Sequence, residues 1–287
     1  MRQITGHTVL TGLLGSPVAH SISPMMHNEA FSQLDLDYRY LAFDVKDNDL
    51  ECVANAMKAM GARGFNLTMP HKTAMCKLCD ELSPAAKIIG SVNTVVIENG
   101  KFIGHSTDGI GYMRSLKNIG LNIIGEKITI LGAGGAATSI FVQAALDGVK
   151  EISIFSRRST FFERAQYIIE QLEKSTGCKM NLYDFDDPAL LKKEISESVL
   201  LINGTSVGMA PNTDASIITD SSMFHKNLVV SDVIYNPRET KLLRLAKEAG
   251  CKTQNGLFML LYQGAEAFKL WTGQEMPVDI IKEKYFQ

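Results

Sequence analysis

A glycine-rich run in the middle of the chain limits the folds that this sequence can adopt. Residues 127–137 read Lys-Ile-Thr-Ile-Leu-Gly-Ala-Gly-Gly-Ala-Ala, which predicts a short buried strand, a tight turn and the start of a helix. Gly132 permits the tight turn, Gly134 lets the backbone approach a pyrophosphate, and Ala137 lets the helix pack closely. The first helical amides then face the phosphates. The run therefore predicts a dinucleotide site at Gly132, Ala133, Gly134, Gly135 and Ala136.

The sequence after this run supports that interpretation, since G-x-G-x-x-A alone is a weak signal for a cofactor site. Short β-branched runs alternate with helical stretches, as a parallel sheet covered by helices on both faces requires. The predicted strands are Glu151–Phe155, Lys179–Tyr183, Val199–Asn203, Leu228–Val233 and Lys252–Gln254. We therefore predict an α/β fold with a doubly wound, Rossmann-type nucleotide-binding domain over residues 110–255.

The length of the chain and the central position of the glycine-rich run predict a second domain. The chain has 287 residues, more than one compact core usually organises, and its 45% hydrophobic content can fill two cores. The residues upstream of the run carry the polar clusters that a substrate domain needs. We expect this N-terminal domain to be α/β as well.

Composition excludes several classes of partner. The net charge is −2 and Lys and Arg form no dense tract, so neither nucleic acid nor an anionic membrane surface is an expected partner. The expected partner is a small-molecule substrate. No apolar stretch approaches a membrane span, and Val9–Leu14 is too short and too Gly-broken for the core of a signal peptide. We expect a cytoplasmic protein.

The five cysteines are odd in number and scattered, which fits a reducing compartment rather than a disulfide framework. Cys76 and Cys79 have the spacing of half a zinc or redox motif, but no second Cys/His pair is suitably placed. We interpret them as two thiols on a helix face and predict no metal site.

The first polar cluster spans residues 20–28, His-Ser-Ile-Ser-Pro-Met-Met-His-Asn. Pro24 at the first helical position makes Ser23 a natural N-cap for a helix over Met25–Leu34. Capping explains Ser23 but not Ser21, and two hydroxyls at a helix N-terminus also suit a substrate carboxylate. The residues alone leave both interpretations open.

The second cluster spans residues 64–72, Gly-Phe-Asn-Leu-Thr-Met-Pro-His-Lys. Asn66, Thr68 and Lys72 lie near the carboxyl end of a short predicted strand, where open α/β sheets bind ligands. A lysine at a helix start is more often simply solvated, but its charge is unfavourable beside the positive pole of the helix. This local conflict favours a role for Lys72 in proton transfer.

The third cluster consists of two turns, residues 90–94 and 104–109, on either side of a hairpin-like run over Val95–Ile103. Asn93 and Asp108 lie in these turns, and an Asp before Gly is most often explained by the turn itself. Asp108 gains interest because Lys72 is in the same half of the chain. Paired with this lysine, Asp108 would hold the ammonium and accept a hydrogen bond from a substrate hydroxyl.

The order of these motifs resembles the shikimate dehydrogenase family. H-S-x-S-P-x-x-H-N, N-x-T-x-P-x-K, G-S-V-N-T, T-D-G and G-A-G-G-A follow one another, and residues 203–209, 232–237 and 259–264 also resemble that family. The resemblance spans nearly the whole chain and includes the subgroup that accepts quinate as well as shikimate. It implies reversible reduction of 3-dehydroshikimate to shikimate with a nicotinamide cofactor, without metal, in aromatic amino-acid biosynthesis or quinate use.

The resemblance also implies roles for single residues. Lys72 would donate or accept the proton, with Asp108 as its partner. The residues that would bind the substrate are Ser21, Ser23, Thr68, Asn93, Tyr235 and Gln263. Beyond the glycine-rich run, the cofactor would be bound by Ser156, Arg157, Arg158, Ser206, Ile234 and Gly256. Because Gln263 belongs with the substrate site, the substrate domain would comprise residues 1–109 together with 256–287.

The stretch after the strand Glu151–Phe155 bears on the choice of cofactor. It contains no acid to bind the adenosine ribose hydroxyls, whereas arginine favours a 2′-phosphate. NADP-specific members of the family usually have Asn-Arg-Thr here, and the quinate-type subgroup often has an acid where this chain has Ser159. We predict NADP, bound through Arg157 and Arg158, and keep NAD open. A second departure is Ser106, where the family usually has Asn.

Two alternative functions stay open. The first is a dual-specificity quinate/shikimate dehydrogenase that uses NAD or NADP, because pocket shape and not motifs distinguishes the two substrates. The second is a non-catalytic sensor of nicotinamide nucleotides, whose signature would be a broken site. Lys72, Asp108, Ser21, Ser23 and Gln263 all stand in place. The sequence also leaves a homodimer open.

Overall fold

The computed structural model describes residues 3–286, which form two compact units. The first unit contains residues up to 111 and from 261 onward, and the second contains residues 112–260. Through residue 118 the elements are β1 (Val9–Gly15), α1 (Ser23–Gln33), β2 (Tyr38–Asp44), α2 (Leu50–Ala59), β3 (Gly64–Leu67), α3 (Lys72–Leu78), β4 (Glu81–Leu82), α4 (Pro84–Ile89), β5 (Thr94–Glu98), β6 (Lys101–His105) and α5 (Asp108–Asn118). They continue with β7 (Lys127–Leu131), α6 (Gly135–Leu146), β8 (Glu151–Phe155), α7 (Thr160–Thr176), β9 (Lys179–Tyr183), α8 (Pro188–Ser196), β10 (Leu200–Asn203), β11 (Val229–Asp232), α9 (Lys241–Glu248), β12 (Lys252–Gln254), α10 (Leu257–Thr272) and α11 (Val278–Tyr285).

The first unit contains a mixed sheet with the strand order β2-β1-β3-β5-β6-β4. β1 pairs in parallel with β2 and β3, whereas β5 is antiparallel to β3 and β6. Asn99 and Gly100 join β5 to β6 with φ angles of +51° and +75°, the positive values that a tight two-residue hairpin turn needs. The predicted hairpin over Val95–Ile103 is therefore confirmed.

The second unit contains six parallel strands in the order β12-β11-β10-β7-β8-β9. From β7 the chain winds outward to β8 and β9, then returns to β10 on the other side of β7. The point where the winding reverses, between β7 and β10, is the place where open parallel sheets bind ligands beyond the carboxyl ends of their strands. The central strands β7, β10 and β11 are almost fully buried. The predicted doubly wound fold is confirmed.

An aromatic cluster on α1, β2 and α10 fastens helices to the sheet of the first unit. The ring of His27 stacks on Tyr40 at a centroid distance of 4.4 Å and lies 5.3 Å from the ring of Trp271. Trp271 donates its indole N–H to the carbonyl of Val95 on β5 at 3.0 Å. Gly64 leaves room for this contact, because an added Cβ would lie 2.4 Å from Trp271 Nε1.

Two features of residues 3–286 bear on the chemistry available to this fold. No helix in this range is both long and apolar enough to cross a membrane. The same residues contain no group of three or more His, Cys, Asp or Glu side chains arranged to hold a metal ion. Cys76 is the fifth residue of α3 and Cys79 follows its last residue, and burial raises the pKa of the Cys79 thiol to about 12.

Protonation of His27 is expected to make the protein sensitive to acid. The imidazole is completely buried, and neither ring nitrogen has a hydrogen-bond partner within residues 3–286. Burial lowers its pKa from 6.5 to about 3. Because the folded-state pKa is the lower one, the unfolded chain binds more protons between these values, and stability falls as the pH drops through this window.

We therefore expect His27→Phe, which keeps the ring but removes the titration, to lose less stability in acid. From about pH 7 to about pH 5, its loss in the free energy of unfolding should be about 2 kcal/mol smaller than that of the wild type. Urea unfolding at the two pH values measures the difference. Equal losses of the free energy of unfolding in the two proteins would contradict the assignment of the acid sensitivity to His27.

Candidate active site

The first unit brings together the two residues that the sequence predicts for proton transfer. Lys72 begins α3 and Asp108 begins α5, and Lys72 Nζ lies 2.7 Å from Asp108 Oδ2. Their side chains are 33% and 18% exposed, so the pair is neither sealed from a ligand nor fully screened by solvent. The ammonium retains two further N–H groups for other acceptors.

The side chain of Asn93 fixes the other oxygen of Asp108. Its Nδ2 donates to Asp108 Oδ1 at 2.9 Å and lies 3.4 Å from Gln263 Oε1. Its Oδ1 accepts the backbone N–H of Thr107 at 2.7 Å. The predicted residues Lys72, Asp108, Asn93 and Gln263 are therefore joined in one hydrogen-bonded group.

A buried layer lies behind this group: it contains Asn66, which the sequence analysis placed at a ligand-binding strand end, and Tyr40 and Thr94, to which it assigned no role. Asn66 on β3 donates its Nδ2 to Asn93 O at 3.1 Å and to Thr94 Oγ1 at 2.9 Å, and its Oδ1 accepts the hydroxyl of Tyr40 at 2.9 Å. The amide of Asn66 thus has its donors and one acceptor site occupied. Burial raises the pKa of Tyr40 above its ordinary value, so the hydroxyl stays a donor.

The structure corrects the predicted N-cap of the first helix. α1 already includes Ser23, Ile22 is the N-cap residue, and no side chain caps the helix. The helix begins earlier because Ile22 has helical dihedrals and its carbonyl accepts the N–H of Met26 at 3.1 Å. The hydroxyl of Ser21 instead accepts the N–H of Ser23 at 3.2 Å. Ser23 is thus free of the capping role that the sequence assigned to it.

Thr68 and Tyr235, the two other residues predicted to bind substrate, differ in surroundings. Thr68 follows β3 directly and is half-buried, in the same unit as Lys72. Tyr235 belongs to the second unit, where it follows β11, and it is 44% exposed.

The glycine-rich run has the backbone that a phosphate site needs. Gly132 has a φ of +103° and a Cβ there would lie 2.6 Å from Thr205 Cγ2, so only glycine fits. Gly134 is the N-cap of α6, and neither Gly134 nor Gly135 would place a Cβ within 4 Å of another atom. The start of the 12-residue α6 therefore presents its backbone amides without side chains in front, which suits a dinucleotide pyrophosphate.

The two arginines after β8 have different surroundings. Arg158 Nε lies 3.1 Å from Asp184 Oδ2, and its guanidinium lies 4.6 Å from the ring centroid of Phe162. Arg157 is exposed, and no ion pair of its guanidinium is seen within residues 3–286. Ser156 is buried.

The last three predicted cofactor residues lie after the ends of β10, β11 and β12. Ser206 is exposed in the loop that follows β10. Ile234 is buried, and its carbonyl accepts the N–H of Gly256 at 3.0 Å. Like the glycine-rich turn, these positions lie beyond the carboxyl ends of strands in one parallel sheet.

Comparison with known proteins agrees with the fold and the motifs. The family described as the shikimate dehydrogenase substrate binding domain matches residues 13–95, and the shikimate 5′-dehydrogenase C-terminal domain matches residues 256–284. The NADP(+) shikimate dehydrogenase of Listeria monocytogenes is 54% identical to this chain, covering 99% of it and 98% of the relative.

Two solved structures extend the comparison. Shikimate 5-dehydrogenase from Listeria monocytogenes, crystallised with shikimate and NAD, is 54% identical, with a TM-score of 0.95 and coverage of 99% of this chain and 98% of that one. Quinate dehydrogenase from Corynebacterium glutamicum with NAD is 29% identical, with a TM-score of 0.86 and coverage of 97% and 99%. The fold and the fingerprint define an oxidoreductase of the nicotinamide-nucleotide class. The chain belongs to the shikimate dehydrogenase family.

Replacing Lys72 should remove activity without unfolding the protein. Lys72→Ala deletes the only amine that contacts Asp108 among the ion pairs of residues 3–286, and loss of a positioned acid–base group lowers kcat by about 10²–10⁴-fold. Lys77→Ala, which removes an exposed lysine from the same helix, is the matched control and should keep wild-type kcat. Steady-state rates and thermal melts of the three proteins test this, and near-normal kcat in Lys72→Ala would remove Lys72 from the mechanism.

Proposed function

We propose that this protein catalyses the reversible, NADP-dependent reduction of 3-dehydroshikimate to shikimate. The observation that carries the proposal is the hydrogen-bonded group of Lys72, Asp108, Asn93 and Gln263. It occurs in a chain that is 54% identical, over 99% of its length, to a relative named shikimate dehydrogenase (NADP(+)). The intact group also argues against a sensor that has lost catalysis.

The proposed mechanism assigns the proton to Lys72. During reduction, the ammonium donates a proton to the carbonyl oxygen of the substrate, and in the reverse direction the amine accepts that proton from the hydroxyl. Asp108 keeps the Lys72 side chain directed at the reacting oxygen and accepts a hydrogen bond from a substrate hydroxyl. When bound, the nicotinamide supplies or accepts the hydride.

The remaining predicted residues would orient the substrate. Ser21 and Ser23 would donate their hydroxyls to its carboxylate, and Thr68, Tyr235 and Gln263 would bind hydroxyls or the carboxylate. A site built from neutral hydrogen-bonding groups discriminates strongly against analogues that lack a hydroxyl, because its polar groups are then left unpaired. We assign these roles to the substrate domain of residues 1–109 with 256–287, except Tyr235, which lies within residues 110–255.

The conformation of the glycine-rich run supports the proposed cofactor. Open backbone amides at Gly134 and Gly135 suit a pyrophosphate. The two arginines would play different parts, because the Arg158 guanidinium is engaged by Asp184 and Phe162. We therefore assign the 2′-phosphate of NADP to Arg157.

A dual-specificity quinate/shikimate dehydrogenase is the second candidate. Two observations favour it: the 54% identical Listeria structure is a complex with NAD, and the quinate dehydrogenase of Corynebacterium glutamicum shares the fold over nearly its whole length. Self-association into a homodimer also stays a prediction, which light scattering in solution would test.

Turnover with four substrate and cofactor pairs tests the proposed function. Shikimate or quinate, each with NADP or NAD, is followed by the absorbance of the reduced nicotinamide, and Lys72→Ala serves as the control for contaminating activity. We expect the highest kcat/KM with shikimate and NADP. Comparable values with quinate would favour the dual-specificity enzyme, and no turnover in any pairing would contradict the proposal.

Two arginine variants test the cofactor assignment. Arg157→Ala should lower kcat/KM with NADP by about 10- to 100-fold and leave NAD nearly unchanged, since a charge-assisted contact to phosphate is worth about 1.5–3 kcal/mol. Arg158→Ala is the matched control and should change the NADP/NAD preference little. Equal losses with both cofactors in Arg157→Ala, or a larger shift in Arg158→Ala, would contradict the assignment.

A further inference from the structure

A buried carboxylate lies at the carboxyl end of β11, in the second unit. Asp232 Oδ1 accepts the backbone N–H of Ile234 at 3.0 Å and the side-chain amide of Asn203 at 3.1 Å. Asp232 Oδ2 accepts the hydroxyl of Thr240 at 2.7 Å. The residue has no exposed surface, and all three donors are neutral.

Such a group is costly to keep for stability alone. Removing a carboxylate from water is unfavourable, and three neutral hydrogen bonds compensate for this only in part. Burial accordingly raises the pKa of the Asp232 carboxyl above its ordinary value. A buried polar group that is expensive for the fold is a candidate for a role in the geometry of a site.

The peptide segment at Ile234 is fixed on both sides, on one of them by Asp232. The N–H of Ile234 is bound by Asp232, and the carbonyl of Ile234 accepts the N–H of Gly256 at 3.0 Å. The approach of these two segments is close, because a Cβ on Gly256 would lie 1.9 Å from the carbonyl oxygen of Val233. A displacement of Ile234 would therefore be transmitted to Gly256.

The other side of Asp232 leads to the glycine-rich turn. Asn203 is the register partner of Asp232 on the adjacent strand β10. Its Oδ1 accepts the hydroxyl of Thr205 at 2.7 Å, and Thr205 packs where a Cβ on Gly132 would lie. Asp232 is thus the junction between the loops after β10 and β11 and the turn after β7.

We propose that Asp232 is a positioning residue that holds the backbone of Ile234 and Gly256 at the nicotinamide end of the cofactor site. The proposal rests on the proposed function, since only the family resemblance assigns these two residues to the nicotinamide. Asp232 acts as a hydrogen-bond acceptor for Ile234, and its negative charge has no part in the reaction.

Two neutral substitutions of similar size separate a role of Asp232 as a hydrogen-bond acceptor from a role of its negative charge. Asp232→Asn keeps an oxygen for the N–H of Ile234 and can donate to Thr240, whereas Asp232→Leu has the same branching and no acceptor. We expect kcat with shikimate and NADP to fall by about 10²-fold in Asp232→Leu, the size of effect that a misplacement of about 1 Å produces. Asp232→Asn should stay within about threefold of the wild type, so that the conservative variant rescues the rate.

Three further readouts distinguish positioning from general destabilisation. The affinity for 2′,5′-ADP, which carries only the adenosine half of NADP, should be unchanged by calorimetry in both variants. In the opposite direction, reduction of 3-dehydroshikimate, the primary deuterium isotope effect on kcat with C4-deuterated NADPH should rise in Asp232→Leu, because hydride transfer becomes more rate-limiting. Thr129→Val is the matched control, since it removes the buried hydrogen bond between Thr129 and Ser198 in the same sheet; it should lower the Tm and leave kcat and the isotope effect unchanged.

The outcomes that overturn the proposal are specific. Wild-type kcat in Asp232→Leu would do so, as would equal losses in Asp232→Asn and Asp232→Leu, or a parallel loss of 2′,5′-ADP affinity. If Asp232→Leu does not fold, Asp232→Ala takes its place, because it also removes the acceptor. A loss of kcat beyond about tenfold in Asp232→Asn would overturn the proposal as well, since the charge itself would then be needed. Wild-type turnover is measured first, so that a failure of the proposed function is seen there and a failure of this proposal only in the variants.

Discussion

The geometry of the candidate proton-transfer pair, Lys72 and Asp108, depends on the hydrogen bonds of the Asn93 side-chain amide. It accepts the N–H of Thr107 at 2.7 Å with its oxygen and donates to Asp108 at 2.9 Å with its nitrogen. An aspartate here would repel the carboxylate, and a leucine would leave the N–H of Thr107 without its acceptor. Because Asp108 is held through one oxygen, its other oxygen is free to hold Lys72. The orientation of the lysine is therefore set by an amide that does not touch it.

Both units place short polar side chains at the ends of strands. In the first unit Asn66 and Asn93 do this beside β3 and β5, and in the second Asn203 and Asp232 do it on β10 and β11. Backbone groups beyond the end of a strand lose their partners in the sheet and need others. Short amide and carboxylate side chains supply those partners and fix the loops that follow. The same edge of each sheet then carries both the structural polar groups and the proposed ligand-binding ones.

Local signals account for what the sequence predicts well. The strands β8, β9 and β12 have the predicted bounds, β10 begins one residue later than predicted, and β11 is one residue shorter at each end. The contact of Tyr40 with Asn66 was not predictable in this way. These residues are 26 positions apart in the sequence. They lie on β2 and β3, and the strand order β2-β1-β3, which the local pattern does not reveal, brings them within reach of each other. The predicted N-cap at Ser23 was wrong because α1 begins one residue earlier than Pro24 alone indicates, so that the N-cap is Ile22.

The distribution of burial explains how one site can be rigid and reactive. Asn66, Asn93 and Thr94 are buried, where each hydrogen bond is strong and an unpaired group is costly, so their arrangement is highly specified. Lys72 and Asp108 keep part of their surface exposed. A fully buried ion pair would lose more to desolvation and could not reach a substrate, whereas a fully exposed pair would be screened and disordered. A partly exposed pair supported by a buried amide network combines the fixed geometry that acid–base catalysis requires with access for the reacting oxygen.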